Sequence, residues 1–291
     1  MVHRASYFAL ILVAACQPPP ADYTGVFDGS AGHWVDLTHS FSESTIYWPT
    51  DTTGFELQEL AFGPTEGGWF YASYAFASPE HGGTHLDAPV HFAEGRLTNE
   101  QIPLSGLMGP AAVVDISSRA TPDYLLTVED LTAWEAEHGQ LPHSGILLIR
   151  TGWAERWEDR TAYLGTDLTG PSAVPELHFP GIGADAAAWL IANRNLVAVG
   201  IDTPSIDYGQ SADFRAHVIL YADNISGFEN VTNLHLLPPT GAFIVALPMK
   251  IEGGSGGPLR IVSFVPSSVS YTHLRAHETE ADLVCRLLLE K

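Results

Sequence analysis

The chain has 291 residues, 45% of them hydrophobic, which is enough for one large domain with a full core. Its 34 acidic residues against 13 Lys and Arg give a formal charge of −21, which repels phosphate backbones and anionic lipid and excludes nucleic acid as a partner. The two cysteines, Cys16 and Cys285, leave the body of the chain without a disulfide framework or a thiolate metal site, so any ligands there must be nitrogen or oxygen.

In chain order, residues 1–16 read as an export signal. Arg4 gives a positive start, and the apolar run from Tyr7 to Ala15 is too short to span a bilayer. Val13-Ala14-Ala15-Cys16 resembles a bacterial lipobox, in which Cys16 would carry a lipid anchor; an ordinary signal peptide is the alternative. Either reading places the protein outside the cytoplasm, periplasmic or extracellular. Residues 17–32, with three consecutive prolines, read as a tether without a core of its own.

The domain is expected over 33–266. Trp34 to Leu37 has strand character, and Trp69 to Phe76 alternates aromatic and small residues, which predicts a strand with one buried face leading to His81. Ala111–Ile116 and Ile146–Arg150 are apolar runs of buried strands. Between them Thr127-Val128-Glu129-Asp130 opens a helix in capping-box style, with Val128, Leu131 and Trp134 as its stripe and Gly139 as its stop. A second helix over Ala184–Asn195 feeds a buried strand, Leu196–Ile201, and a third over Ala212–Tyr221 carries His217. Phe243–Leu247 and Leu259–Val265 read as closing strands. Helices alternating with apolar strands predict a single α/β domain with a mixed sheet. Gly253 to Gly257 lacks the Lys-Ser/Thr of a phosphate loop and reads as a flexible turn at a pocket rim. The tail, 267–291, resembles translated sequencing adapter, so His273, His277 and Cys285 are set apart from the chemistry.

The chemically dense stretch is His81-Gly82-Gly83-Thr84-His85-Leu86-Asp87-Ala88-Pro89-Val90-His91-Phe92. Imidazole and carboxylate are the donor set of zinc, manganese and iron(II) sites. The glycine pair and Pro89 disfavour a helix. In an extended segment His85, Asp87 and His91 share a face, and His81 folds back over them through the glycines. A lone histidine in such a chain is usually a core or surface residue; four ligand-type residues on one glycine-rich segment point to a metal.

That segment resembles the H-x-G-T-H-x-D-x-P-x-H signature of the cyclase family of metal-dependent hydrolases, whose members include bacterial kynurenine formamidases and isatin hydrolases. Val35-Asp36-Leu37-Thr38-His39, Tyr47-Trp48-Pro49, Arg150-Thr151-Gly152-Trp153, Gly200 to Asp207, Ala216-His217, Glu229-Asn230 and Leu247 to Lys250 follow in the family's order, so the resemblance spans roughly residues 33 to 265. It implies the swivelling β/β/α fold. It implies His81, His85 and Asp87 as ligands of a first divalent metal, zinc or manganese. His217 and Glu229 correspond to residues that bind a second metal in dinuclear members, with Asp87 bridging, and that sit beside the site in single-metal members. Family habit also implies a homo-oligomer.

A divalent ion acidifies bound water and polarises a carbonyl oxygen, which suits hydrolysis of a linear aryl formamide or a cyclic lactam such as isatin. His91 is the candidate for moving a proton to the leaving nitrogen, with support of a ligand as its other reading. His217 and Glu229 join it as expected catalytic residues. Trp48, Trp69 and Phe92 are the candidate walls for a flat aromatic substrate. Asp202, Ser205 and Asp207 leave a buried strand at its carboxyl end and read as bordering the site, with turn-making and amide capping as their alternative. Competing readings are a lactone or ester hydrolase on the same site, and an exported binding protein that kept the fold without catalysis.

Overall fold

The computed structural model describes residues 23–267; the expected export signal with Cys16 and the tail beyond Ser267 lie outside them. The first elements are helix α1 (Thr24–Asp28) and strands β1 (Gly32–Asp36), β2 (Glu56–Pro64), β3 (Phe70–Ala77), β4 (His85–Asp87), β5 (Met108–Asp115) and β6 (Leu125–Leu126). Next come α2 (Val128–His138), β7 (Gly145–Arg150), α3 (Arg160–Leu164), β8 (Gly181–Ile182), α4 (Ala184–Asn193) and β9 (Leu196–Ile201). The last are α5 (Arg215–Tyr221), β10 (Ser226–Glu229), β11 (Thr240–Pro248) and β12 (Gly256–Pro266). No residue of α1 is buried, and β1 opens at Gly32.

An eight-stranded mixed sheet runs in the order β1-β12-β11-β5-β7-β9-β10-β4. Strands β5, β7, β9 and β10 are parallel, and the rest pair antiparallel. Strand β4 pairs with β10 on one side and with the start of β12 on the other, so the sheet closes on itself with β1 left outside. The two-residue period of the strands builds two cores. Ala112, Val114, Leu147, Ile149 and Val199 face the helices, against Leu131 and Trp134 of α2, Leu190 of α4 and Leu220 of α5. Ala111, Val113, Ile146 and Leu148 point the other way, against Leu86, Phe228, Ile244 and Ile261. Each such buried Val, Leu, Ile or Phe contributes about 1.5–3 kcal/mol, and the alanines less. The α/β class with its mixed sheet is therefore as the sequence predicts.

Helix α2 begins as its cap pattern requires, with Thr127 and Asp130 exchanging side-chain and backbone hydrogen bonds. Helix α5 starts at Arg215, later than the expected Ala212. Phe214 stands at φ 48°, and the carboxylate of Asp207 takes the first helical amides, those of Ala216 and His217. A larger correction concerns Trp69 to Phe76, expected to have one buried face. Strand β3 pairs only with β2, as a separate two-stranded ribbon, and its aromatics are exposed.

Candidate metal centre

Strand β4 is three residues long and wholly buried, and its two-residue period sets His85 and Asp87 on one face. Glu229, the last residue of β10, lies directly opposite His85 in the antiparallel register. Asp87 faces Gly256 of β12, where a Cβ would come within 2.6 Å of the His81 ring, so the missing side chain makes room for His81 to fold back over β4. His217 projects from α5. His91 does not continue the extended segment as expected: Pro89–His91 is a 3-10 turn, because Pro89 at its start fixes a helical φ. The turn still brings His91 onto His81, with ring centroids 3.9 Å apart and planes 17° from parallel.

Three of these imidazoles, those of His81, His85 and His217, have one nitrogen committed outward. His85 Nδ1 donates to the Gly83 carbonyl at 3.0 Å. His217 Nδ1 donates to Asp207 Oδ2 at 2.6 Å. His81 Nε2 donates to Ser255 Oγ at 2.9 Å, because the Ser255 hydroxyl itself donates to Glu80 at 2.7 Å. The other nitrogen of each ring turns inward. His81 Nδ1 lies 2.7 Å and His85 Nε2 3.1 Å from Asp87 Oδ1. His217 Nε2 lies 3.3 Å from Asp87 Oδ2 and 3.2 Å from Glu229 Oε1. His85 Nε2 is buried without a hydrogen-bond partner, 3.4 Å from Glu229 Oε2. With their outward nitrogens protonated, three imidazoles turn lone pairs towards two carboxylates, an arrangement that calls for positive charge, supplied by a cation or by a second proton on the rings. His81, His85 and Asp87 form one group able to hold an ion, and Asp87, His217 and Glu229 another.

The electrostatics agree. Burial disfavours a charged His85, yet its contact with Asp87 and the charges of Asp87 and Glu229 lift it to about 9. His217 is likewise disfavoured by burial but raised well above its ordinary value by Asp207, Asp87 and Glu229. Asp87 is held well below the carboxylate range despite burial, by the charge on His81 and hydrogen bonds from His217, His81 and His85. Burial and the Asp87 charge push Glu229 up. His91 is pulled down to about 4, chiefly by burial.

These groups line the end of a cavity of about 270 Å³. Trp48 and Phe92 form its walls as expected, and His91 borders it. Trp69 does not. It lies at the far turn of the β2–β3 ribbon, 63% exposed, because that ribbon projects away from the site. Sequence reasoning missed Tyr47, Asp51 and Phe214 as lining residues, and Tyr221, whose hydroxyl donates to Asp87 Oδ2 at 2.9 Å. Tyr221 was findable, since it stands four residues after His217 on the same helix face. Ser205 lines the cavity and Asp207 orients His217, whereas Asp202 accepts hydrogen bonds from the Thr151 amide and hydroxyl and the Gly152 amide. The glycine-rich loop is more than a turn, for it delivers Ser255 to His81.

A closed mixed sheet presenting this donor set to a small, largely apolar cavity with four aromatic walls, Tyr47, Trp48, Phe92 and Phe214, defines a metal-dependent hydrolase. Residues 35–208 match the family described as putative cyclase, and the chain belongs to it. It is 37% identical over 211 residues to the isatin hydrolase of Roseibium aggregatum, covering 69% of this chain and 78% of that protein. Identity to the kynurenine formamidase of Salinibacter ruber is 30% over 230 residues, with 78% and 95% covered. Isatin hydrolase A from Ralstonia solanacearum superposes with a TM-score of 0.73 at 32% identity, covering 90% of this chain and all of that one. Within the family the chain is a metal-dependent hydrolase of C–N amide bonds.

Proposed function

We propose that this hydrolase opens the C–N bond of a small flat aromatic lactam of the isatin type, with aryl formamides as the lesser substrate class. The observation that carries the reading is the convergence of three inward imidazole nitrogens and two carboxylates at the end of an aromatic cavity. His81, His85 and Asp87 would hold a first zinc or manganese ion, and Asp87, His217 and Glu229 a second where two bind. Such an ion supplies an acidified water and draws electron density from the substrate carbonyl. The chain's own residues do the rest. Trp48, Phe92 and Phe214 flank the substrate ring, with Phe92 packed on His217 at 4.4 Å between centroids. A volume near 270 Å³, just below the ~300–1,000 Å³ usual for ligand pockets, suits one or two fused rings. Neutral His91 accepts the proton of the attacking water and returns it to the leaving nitrogen.

Identity favours the lactam, at 37% to an isatin hydrolase against 30% to a kynurenine formamidase. Export through residues 1–16, with a lipid anchor at Cys16, favours it as well, since N-formylkynurenine arises inside cells. The enzyme is a homo-oligomer in this reading. The test is elemental analysis of a protein of residues 21–266, with hydrolysis of isatin and N-formylkynurenine in added zinc or manganese. Bound metal and faster opening of isatin are expected. A well-folded protein that takes up no metal would overturn the mechanism and leave a binding protein on this fold.

A further inference from the structure

Beyond the donor set and His91, Asp51 is the one acidic or basic side chain among the described residues that lines the hydrolytic cavity. Its place follows from a turn. Pro49 takes the second position of Trp48-Pro49-Thr50-Asp51, the Asp51 amide donates to the Trp48 carbonyl at 3.0 Å, and the Gly170 amide donates to the Pro49 carbonyl at 2.7 Å. The turn thus holds Asp51 beside the Trp48 wall, at an exposed position where the cavity meets water. Two further cavities, of about 830 and 480 Å³, adjoin the hydrolytic one, and Asp51 alone lines all three. Their walls carry Glu43, Asp51, Glu56 and Glu158 against one basic residue that is always charged, Arg160. His39 adds little charge there, since burial pulls it down to about 4. Among the described residues Asp51 makes no ion pair. Burial raises its carboxyl from the ordinary value, and the charges of His81 and His85 oppose that rise, so Asp51 feels the metal end of the cavity.

Amide hydrolysis changes the charge of what the cavity holds. Water adds its hydroxyl to the carbonyl carbon and its hydrogen to the leaving nitrogen as the C–N bond breaks. The new carboxyl then gives its proton to solvent at neutral pH. A neutral amide has become an anion, and the positive charge that the donor set calls for attracts that anion. Product would linger where the next substrate must bind. We propose that Asp51 is a charge filter at the mouth of the site, admitting a neutral aryl amide and driving out its carboxylate product. Two carboxylates several ångströms apart in partly solvated protein repel enough to change an affinity by ~3–10-fold. A neutral ring passes Asp51 without that cost. The same filter turns away aryl amides that already carry a carboxylate, which makes Asp51 a specificity-determining residue that takes no part in the hydrolytic step.

The inference rests on amide hydrolysis as the reaction and not on the lactam as the substrate, and its test reads binding. The zinc-loaded full chain is titrated by calorimetry with anthranilate and with 2-aminoacetophenone, flat rings of like size that carry a carboxylate and a neutral acetyl group. Asp51→Asn should tighten anthranilate by ~3–10-fold and change 2-aminoacetophenone by less than about 2-fold. Asp51→Glu should keep the parent's ratio of the two affinities. Glu137→Gln, exposed on α2 and on none of the three cavities, changes the net charge by the same amount and should leave that ratio alone. If circular dichroism shows Asp51→Asn unfolded, Asp51→Ser is read in its place, with the same expectation. An unchanged ratio in the Asp51 variant, or an equal shift in Glu137→Gln, overturns the proposal. A chain inert towards isatin whose anthranilate affinity still responds to Asp51→Asn keeps the filter and discards isatin as the substrate.

Discussion

At the scale of single residues, Asp87 owes its place to what surrounds it. Its two oxygens meet His81, His85, His217 and the Tyr221 hydroxyl in a fully buried setting. A carboxylate left there without partners would be very costly, so its neighbours are part of the site. Asp207 acts one step further out, fixing which nitrogen of His217 carries the proton. Asp207→Asn keeps the shape but allows the imidazole to turn its proton inward. Metal affinity is expected to fall ~10–100-fold, measured by titration of chelator-stripped protein, with a melting temperature near the parent's. His91→Ala separates two other roles. If His91 moves protons, the variant retains its metal and loses ~100-fold or more in kcat. Loss of the metal would instead make His91 a support of His81, on which it stacks.

Secondary structure was legible wherever a local signal sufficed. Thr127 with Asp130 marked the start of α2, and the apolar runs marked β5, β7 and β9. Metal-segment spacing marked His81, His85 and Asp87, and order along the chain marked His217 and Glu229. What local signals could not carry was closure of the sheet, which brings Ser255 beside His81 across 174 positions of chain. The ribbon misled for a related reason, since alternation gives a strand two unlike faces but does not say whether anything covers one. At this scale Gly82 yields a prediction. It has a φ of 154°, and a Cβ there would lie 2.1 Å from the Tyr47 ring, which borders the cavity and is tied by its hydroxyl to Ser78 at 2.7 Å. Gly82→Ala must push Tyr47 aside. It should cost about 1–3 kcal/mol in denaturant unfolding and raise KM more than it lowers kcat, since the wall moves while the donor set stays.

For the whole molecule, acidity and burial act in opposite directions as pH falls. Fewer ionised acids ease the self-repulsion of a chain carrying −21. His39 opposes this. Stacked on Trp157 at 4.1 Å with its Nε2 buried and unpartnered, it is pulled down to about 4 by burial. The unfolded chain takes up that proton near 6.5 and the folded one does not. The contribution is therefore full above pH 6.5 and lost as pH falls towards 4, by about 1–2 kcal/mol for a half-buried ring. His39→Gln should flatten that part of the stability curve.

The donor set adds a larger lever, because it joins β4 to α5 and β10, two stretches far apart in the chain. An ion that binds only the folded form stabilises by about 4 kcal/mol at a thousand times its dissociation constant. For a domain of this size that is roughly 8–16 °C in melting temperature. Stripping the ion with a chelator should lower the melting temperature by that amount, and zinc or manganese should restore it. Sodium chloride separates this from general relief of self-repulsion, since at equal ionic strength it screens surface charge but does not enter the buried site. His85→Ala should lose the excess response to divalent ions over sodium chloride and keep the response to salt. An equal response to both in the parent chain would mean the stabilisation is screening alone.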